Sequence, residues 1–337
     1  MLPRKRILLP LALLLPACVA LTPRATPSPA HAGGFKIAFI PKAVGNPYFD
    51  TAFAGAKLAA KANGDTVLQV GPATADAAGQ VTFINNLIQQ HVDAIAISAD
   101  DPAVIAPALV RAESHGIKVV SYDSDTLPKA RSVFINQANS EQIGRVEIQI
   151  IGREINYKGQ IAIISGAATA TNQNTWIGWM RKELALPKYK NMSLVTIDYG
   201  NDDITLSTTE ATGLLTKYPN LKGIVAPTTV GIKAAAQVIT IQGKIGKVFV
   251  TGLGTPNDMR KYVLNGSVPD FALWDVGHLG YLAETTAHDL AAGSLKANVG
   301  ATYTAGMLGK YTIGMGGVVL LGPPTEFTKH NIGNFHF

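Results

Sequence analysis

A single cysteine, Cys18, stands in 337 residues, so no disulfide within the chain can hold the fold and it must rest on packed cores. Charge is sparse, at 15% of residues, and the formal +6 is misleading. Arg4, Lys5, Arg6 and Arg24 lie within residues 1–32, where no acid stands; setting aside these four leaves +2. No basic run with interleaved aromatics remains, which removes the argument for nucleic acid. The apolar stretch Ile7–Leu21 is broken by Pro10 and Pro16 and falls short of the roughly 20 residues of a membrane span, so no integral membrane protein is expected. Catalytic signatures are missing too: there is no G-x-x-x-x-G-K-[ST] loop, G-x-S-x-G elbow or H-E-x-x-H pair. The histidines, among them His91, His115, His278 and His288, are scattered without ligand spacing, and Gly252-Leu-Gly254 is too short for a dinucleotide fingerprint. No catalytic residue, metal or cofactor is expected.

The N-terminus reads as an export signal over residues 1–32: a basic start, an apolar stretch, and Ala30-His-Ala32 just before Gly33. This places the protein in the periplasm or on the extracytoplasmic face. Cys18 follows Leu15-Pro-Ala in the manner of a lipoprotein processing site, which would make residues 19–34 a tether and Cys18 a lipid anchor. About 300 residues then remain, enough for two lobes with separate cores.

From Phe35 onward, short apolar runs alternate with helical stretches. Strands are predicted at 35–40, 66–70, 94–98 and 118–122, with helices over 48–61, 79–90 and 103–115 between them. After the turn-rich segment 123–128 and a short run at 132–135, a second βα series begins, with strands near 160–164, 194–199, 223–226 and 248–251. Further on, 258–265 and 279–292 read as helices, 270–274 as a strand and 303–321 as a closing hairpin. The fold class is α/β: two similar doubly wound parallel-sheet lobes joined by a multi-crossing hinge. The expected division is 35–126 plus 275–302 for the N-terminal lobe, and 127–274 plus 303–337 for the C-terminal lobe.

In such sheets ligands bind beyond the carboxyl ends of the strands. Polar and aromatic residues recur there: Lys42, Asn46, Tyr48 and Phe49; Asp123 and Asp125; Asn172, Gln173 and Asn174; Pro227, Thr228 and Thr229; Trp274 and Asp275. Each has an ordinary role open to it, Asn172 as a helix cap, Asp123 as a turn former, Trp274 as core. Five clusters at equivalent positions suit a sugar, whose hydroxyls both donate and accept and whose C–H face packs on aromatic rings.

These residues carry a resemblance along residues 35–337. The segments Lys42-Ala-Val-Gly-Asn-Pro-Tyr-Phe, Asp93-Ala-Ile-Ala-Ile-Ser-Ala99, Tyr122-Asp-Ser-Asp-Thr, Thr169-Ala-Thr-Asn-Gln-Asn-Thr-Trp176, Ala226-Pro-Thr-Thr-Val-Gly-Ile and Ala272-Leu-Trp-Asp resemble the type I periplasmic solute-binding proteins of ABC sugar importers, most of all the rhamnose-binding group. The resemblance implies a monomeric receptor that binds a monosaccharide and hands it to ABC permease subunits, without being an enzyme. The resemblance extends to the related autoinducer-2 receptors, whose ligand contacts, carried over, fall on Lys42, Asp123, Gln173 and Pro227. The related autoinducer-2 receptors differ at two positions, a second aspartate standing where this chain has Asn172 and an alanine where it has Thr229. An autoinducer-2 receptor is the alternative to rhamnose, and a carbohydrate-modifying enzyme the more distant one. The ligand-binding residues expected are Lys42, Asn46, Tyr48, Phe49, Asp123, Asn172, Gln173, Pro227, Thr229, Trp274 and Asp275.

Overall fold

The structure, a computed structural model, describes residues 34–337; the expected export signal and Cys18 lie outside the described residues. The first series runs β1 (Lys36–Ile40), α1 (Pro47–Asn63), β2 (Thr66–Gln69), α2 (Ala77–Gln89), β3 (Ala94–Ile97), α3 (Pro102–Ser114), β4 (Lys118–Tyr122) and β5 (Val133–Asn136). The second runs α4 (Ser140–Glu154), β6 (Lys158–Ser165), α5 (Thr171–Leu184), β7 (Asn191–Tyr199), α6 (Ile204–Lys217), β8 (Leu221–Ala226), α7 (Thr229–Ile241), β9 (Phe249–Gly252), α8 (Pro256–Asn265) and β10 (Asp270–Leu273). Then come α9 (Val276–Ala292), β11 (Thr302–Thr304), β12 (Lys310–Thr312), β13 (Val318–Leu320) and β14 (Thr325–Thr328). The predicted helices through 292 are all present, most beginning a residue or more earlier than hydrophobic period suggests. The physical reason is capping: the side chains of Asn46, Asp76, Asp101 and Asp275 accept first-turn N–H groups, and Pro47, Pro102 and Pro256 supply a preset φ at the helix start.

The strands form a six-stranded sheet in the order β13-β5-β4-β3-β1-β2 and a four-stranded sheet in the order β7-β6-β8-β9, all parallel. The first sheet is covered on both faces, and its strands show why. In β3 the small Ala94 and Ala96 face the side where α1 and α9 pack; Ile95 and Ile97 face Ile84 of α2 and Ile105 and Leu109 of α3. Burying each such isoleucine contributes about 1.5–3 kcal/mol. On the alanine side α1 and α9 approach until backbone meets backbone: a Cβ on Gly55 would lie 1.8 Å from the Gly277 carbonyl oxygen, and one on Gly280 1.7 Å from that of Ala52. Only glycine permits that separation.

Strand pairing departs from the expected division in two places. Val133–Asn136 and Val318–Leu320 were expected with the second lobe, yet β5 pairs with β4 and β13 with β5, extending the first sheet. The expected hairpin over 303–321 is likewise shorter: β11 and β12 pair antiparallel, and β13 leaves to join the parallel sheet. β14 returns to pair antiparallel with β10. The chain thus crosses between lobes three times, near 137–139, 274–275 and 321–324.

Candidate functional site

A small cavity of about 40 Å³ lies between the carboxyl ends of the two sheets. Its walls are the residues that immediately follow strands. From the first lobe come Lys42 after β1, Asn46, Tyr48 and Phe49 at the start of α1, and Asp123 after β4; from the second, Asn172 and Gln173 in the first turn of α5, Asp202 after β7, Pro227 to Thr229 after β8, and Trp274 after β10.

Asp123 is the hub. It is 5% exposed and adopts a left-handed backbone, φ 60°, which aspartate tolerates better than most residues. Oδ2 accepts from Ser98 Oγ at 2.7 Å and stands 3.8 Å from Lys42 Nζ; Oδ1 accepts from Tyr48 OH at 3.0 Å and from Asn172 Nδ2 at 3.4 Å. Trp274 Nε1 in turn donates to Tyr48 OH at 3.1 Å. Burial pushes the Asp123 carboxyl upward, and the Lys42 ammonium and the Ser98 and Tyr48 hydroxyls oppose this without cancelling it. Burial, reinforced by the Asp123 charge, raises Tyr48 well above the ordinary phenol range, so it remains a hydroxyl donor. Behind this wall Asp100 is pushed up to about 7 by burial, against the pull of Lys42 and of the Asp76 N–H.

Across the cleft, Asn172 Oδ1 accepts from Lys42 Nζ at 3.4 Å, so one amide bridges the lysine and the aspartate of the facing lobe. Further out, Thr169 Oγ1 donates to the Asp100 carbonyl at 3.1 Å and Thr171 Oγ1 to that of Asp125 at 3.5 Å. Gln173 Oε1 is occupied, accepting from Ser165 Oγ at 2.7 Å and the Gly166 N–H at 2.6 Å, while among the described residues its Nε2 donates to nothing. The site therefore offers a carboxylate, an ammonium and amide N–H groups beside a wall of rings. Tyr48 and Phe49 meet edge to face with centroids 5.1 Å apart, Tyr48 and Trp274 at 6.2 Å, and Trp176 and Trp274 at 5.9 Å.

Ten of the eleven expected residues line this cavity. Asp275 does not: it points away and caps α9, accepting from the His278 N–H at 2.8 Å, because it begins the helix that returns to the first lobe. Asp125 is also diverted, gripped by Arg131 Nε at 2.6 Å and Nη2 at 2.8 Å. Sequence reasoning passed over Trp176, Asp202, Leu253 and Leu273, and left Thr228 among the general candidates. Trp176 had a signal: it stands four residues after Asn172, on the same helix face. Among the described residues no group of three or more His, Cys, Asp or Glu side chains is placed to hold a metal ion, and no helix is long and apolar enough to cross a membrane.

Two parallel α/β lobes with a polar and aromatic cleft define a solute-binding protein of the hinged two-lobe class. The chain belongs to the periplasmic binding protein family, matching its domain over residues 37–295. A sugar ABC transporter structure from Actinomyces odontolyticus is 43% identical, covering 90% of this chain and 98% of that one with a TM-score of 0.72. An ABC transporter solute-binding protein from Clostridium phytofermentas, solved with bound L-rhamnose, is 37% identical over 90% of this chain and 98% of its own, TM-score 0.86. LsrB from Clostridium saccharobutylicum, solved with AI-2, is 28% identical over 90% of this chain and all of its own (100%), TM-score 0.85.

Proposed function

We propose that this chain is an extracytoplasmic receptor of an ABC sugar importer, binding one monosaccharide between its lobes and delivering it to the permease, with L-rhamnose the first choice. The observation that carries the reading is the cross-cleft contact of Asn172 with both Lys42 and Asp123, flanked by Tyr48, Phe49, Trp176 and Trp274. A pyranose hydroxyl can accept from Lys42 while donating to Asp123, and the rings offer an apolar surface to the methyl group of a 6-deoxyhexose. The rhamnose-bound relative supports the choice of sugar. The second reading, an autoinducer-2 receptor, is favoured by Lys42, Asp123, Gln173 and Pro227 lining one cavity, and disfavoured by Asn172 and Thr229 where those receptors carry aspartate and alanine. Export through residues 1–32, with Cys18 as an anchor if processing occurs there, belongs to the same proposal.

The test is a thermal-shift panel of L-rhamnose, D-ribose, D-galactose, D-glucose and AI-2, followed by calorimetry and a turnover assay on the same sample. A ligand at 100 times its dissociation constant stabilises by about 2.7 kcal/mol, an unmistakable shift. A shift with rhamnose and no product supports the receptor. A shift with AI-2 alone replaces the ligand, and product formation overturns the class.

A further inference from the structure

Asn172 stands where the autoinducer-2 receptors carry a second-lobe aspartate, yet a carboxylate does reach the cavity from that lobe. Asp202 follows β7, lines the cavity, and is shared with an outer chamber of about 330 Å³ at the cleft mouth, which also touches Asn46, Thr229 and Lys233. Its placement is built. Asn201 and Asp202 both adopt left-handed backbone, φ 50° and 53°, turning the side chain inward. Thr228 Oγ1 donates to Asp202 Oδ1 and fixes the carboxylate plane. Gly166 makes the room: a Cβ there would lie 2.8 Å from each Asp202 oxygen. Among the described residues Oδ2 receives no hydrogen bond, so one carboxylate oxygen is held while the other stays available.

We propose that Asp202 is the second-lobe ligand carboxylate, accepting a sugar hydroxyl at the mouth side of the cavity and setting which hydroxyl configuration the receptor selects. The inference rests on the sugar-receptor reading above. An ionised carboxylate is an acceptor only, so it rewards a hydroxyl that donates and rejects a substituent that cannot. With Asp123 facing it from the first lobe, the ligand is held by one carboxylate on each side, and closure is coupled to both.

The experiment is calorimetry of L-rhamnose and its monodeoxy derivatives on the wild type, Asp202→Asn, Thr228→Val and Asp123→Asn, with thermal melts to verify folding. Asp202→Asn should weaken rhamnose about tenfold or more, the loss of one charge-assisted hydrogen bond, whereas Thr228→Val, which keeps the carboxylate, should cost less than about threefold. One deoxy sugar that binds the wild type poorly should lose nothing further on Asp202→Asn. The inference is overturned if Asp202→Asn stays within about twofold of the wild type, or if every deoxy sugar loses the same factor on both proteins. In that event a large loss on Asp123→Asn leaves the receptor reading standing; a wild type that binds neither these sugars nor any other ligand of the thermal-shift panel overturns both.

Discussion

Asp123→Asn removes a charge while keeping the side-chain shape and a residue type that accepts the left-handed backbone at φ 60°. The hydrogen bonds already present set the magnitude. Two carboxylate oxygens offer about four acceptor positions. Tyr48 and Asn172 occupy two on Oδ1 and Ser98 one on Oδ2, which leaves one for ligand, or two if the long 3.4 Å contact from Asn172 is displaced. Charge-assisted hydrogen bonds contribute about 1.5–3 kcal/mol each, so loss of the one free position in the asparagine variant should weaken sugar binding by roughly 10- to 150-fold. Lys42, only 4% exposed, loses its anionic partner in the same step, so a fall in melting temperature is expected beside the fall in affinity. Calorimetry at fixed salt and pH, on protein shown to be folded by circular dichroism, reads the effect. A dissociation constant within about twofold of the wild type would refute the reasoning, because even one net hydrogen bond contributes roughly 1 kcal/mol.

Gly166→Ala would drive a Cβ to 2.8 Å from the Asp202 oxygens and 2.9 Å from Gln173 Oε1. Affinity should fall about tenfold or more while the melting temperature, set by distant cores, moves by a few degrees; unchanged affinity would show that these side chains relax freely. Asp100 predicts a pH dependence. Its carboxyl, ordinarily at 3.8, is pushed up to about 7 in the folded state, so the folded chain keeps a proton that the unfolded chain releases. Stability from this group is present below about pH 4 and lost as pH rises through about 7, on the order of 2–4 kcal/mol. The wild-type melting temperature should therefore drop between about pH 4 and 7, and that drop should shrink in Asp100→Asn; equal slopes would sink the assignment.

Much of this was legible in the sequence because parallel strands buried on both faces read as short apolar runs, as in Ala94–Ile97, and most of the residues just after them stand at the cleft. Local order carried Lys42, Asp123, Gln173 and Trp274 to one cavity without any long-range information. It did not carry β13, whose three residues Val318–Leu320 look the same whether they close a hairpin or extend a sheet, since the difference lies in the partner strand. Asp275 read as a site residue beside Trp274, but one residue of helix geometry turns it outward to serve as a cap. Asp202 was hidden for the opposite reason: Gly200-Asn-Asp-Asp203 has the composition of a solvent turn, and only the room at Gly166, from a different strand end, brings it inward.

Trp274 stands on one of the three chain crossings, between β10 of one lobe and α9 of the other. Rotation about a crossing moves residues in proportion to their distance from it, so the indole and the Tyr48 hydroxyl it anchors travel least. Asn172 and Asp202 are borne on the second lobe and move with it. On that geometry Trp274 and Tyr48 would form a landing surface present before closure, and so would set how fast a ligand is captured. The polar clasp assembles afterwards and governs how long it stays. Changes at Trp274 should register in the association rate, and those at Asn172 in the residence time.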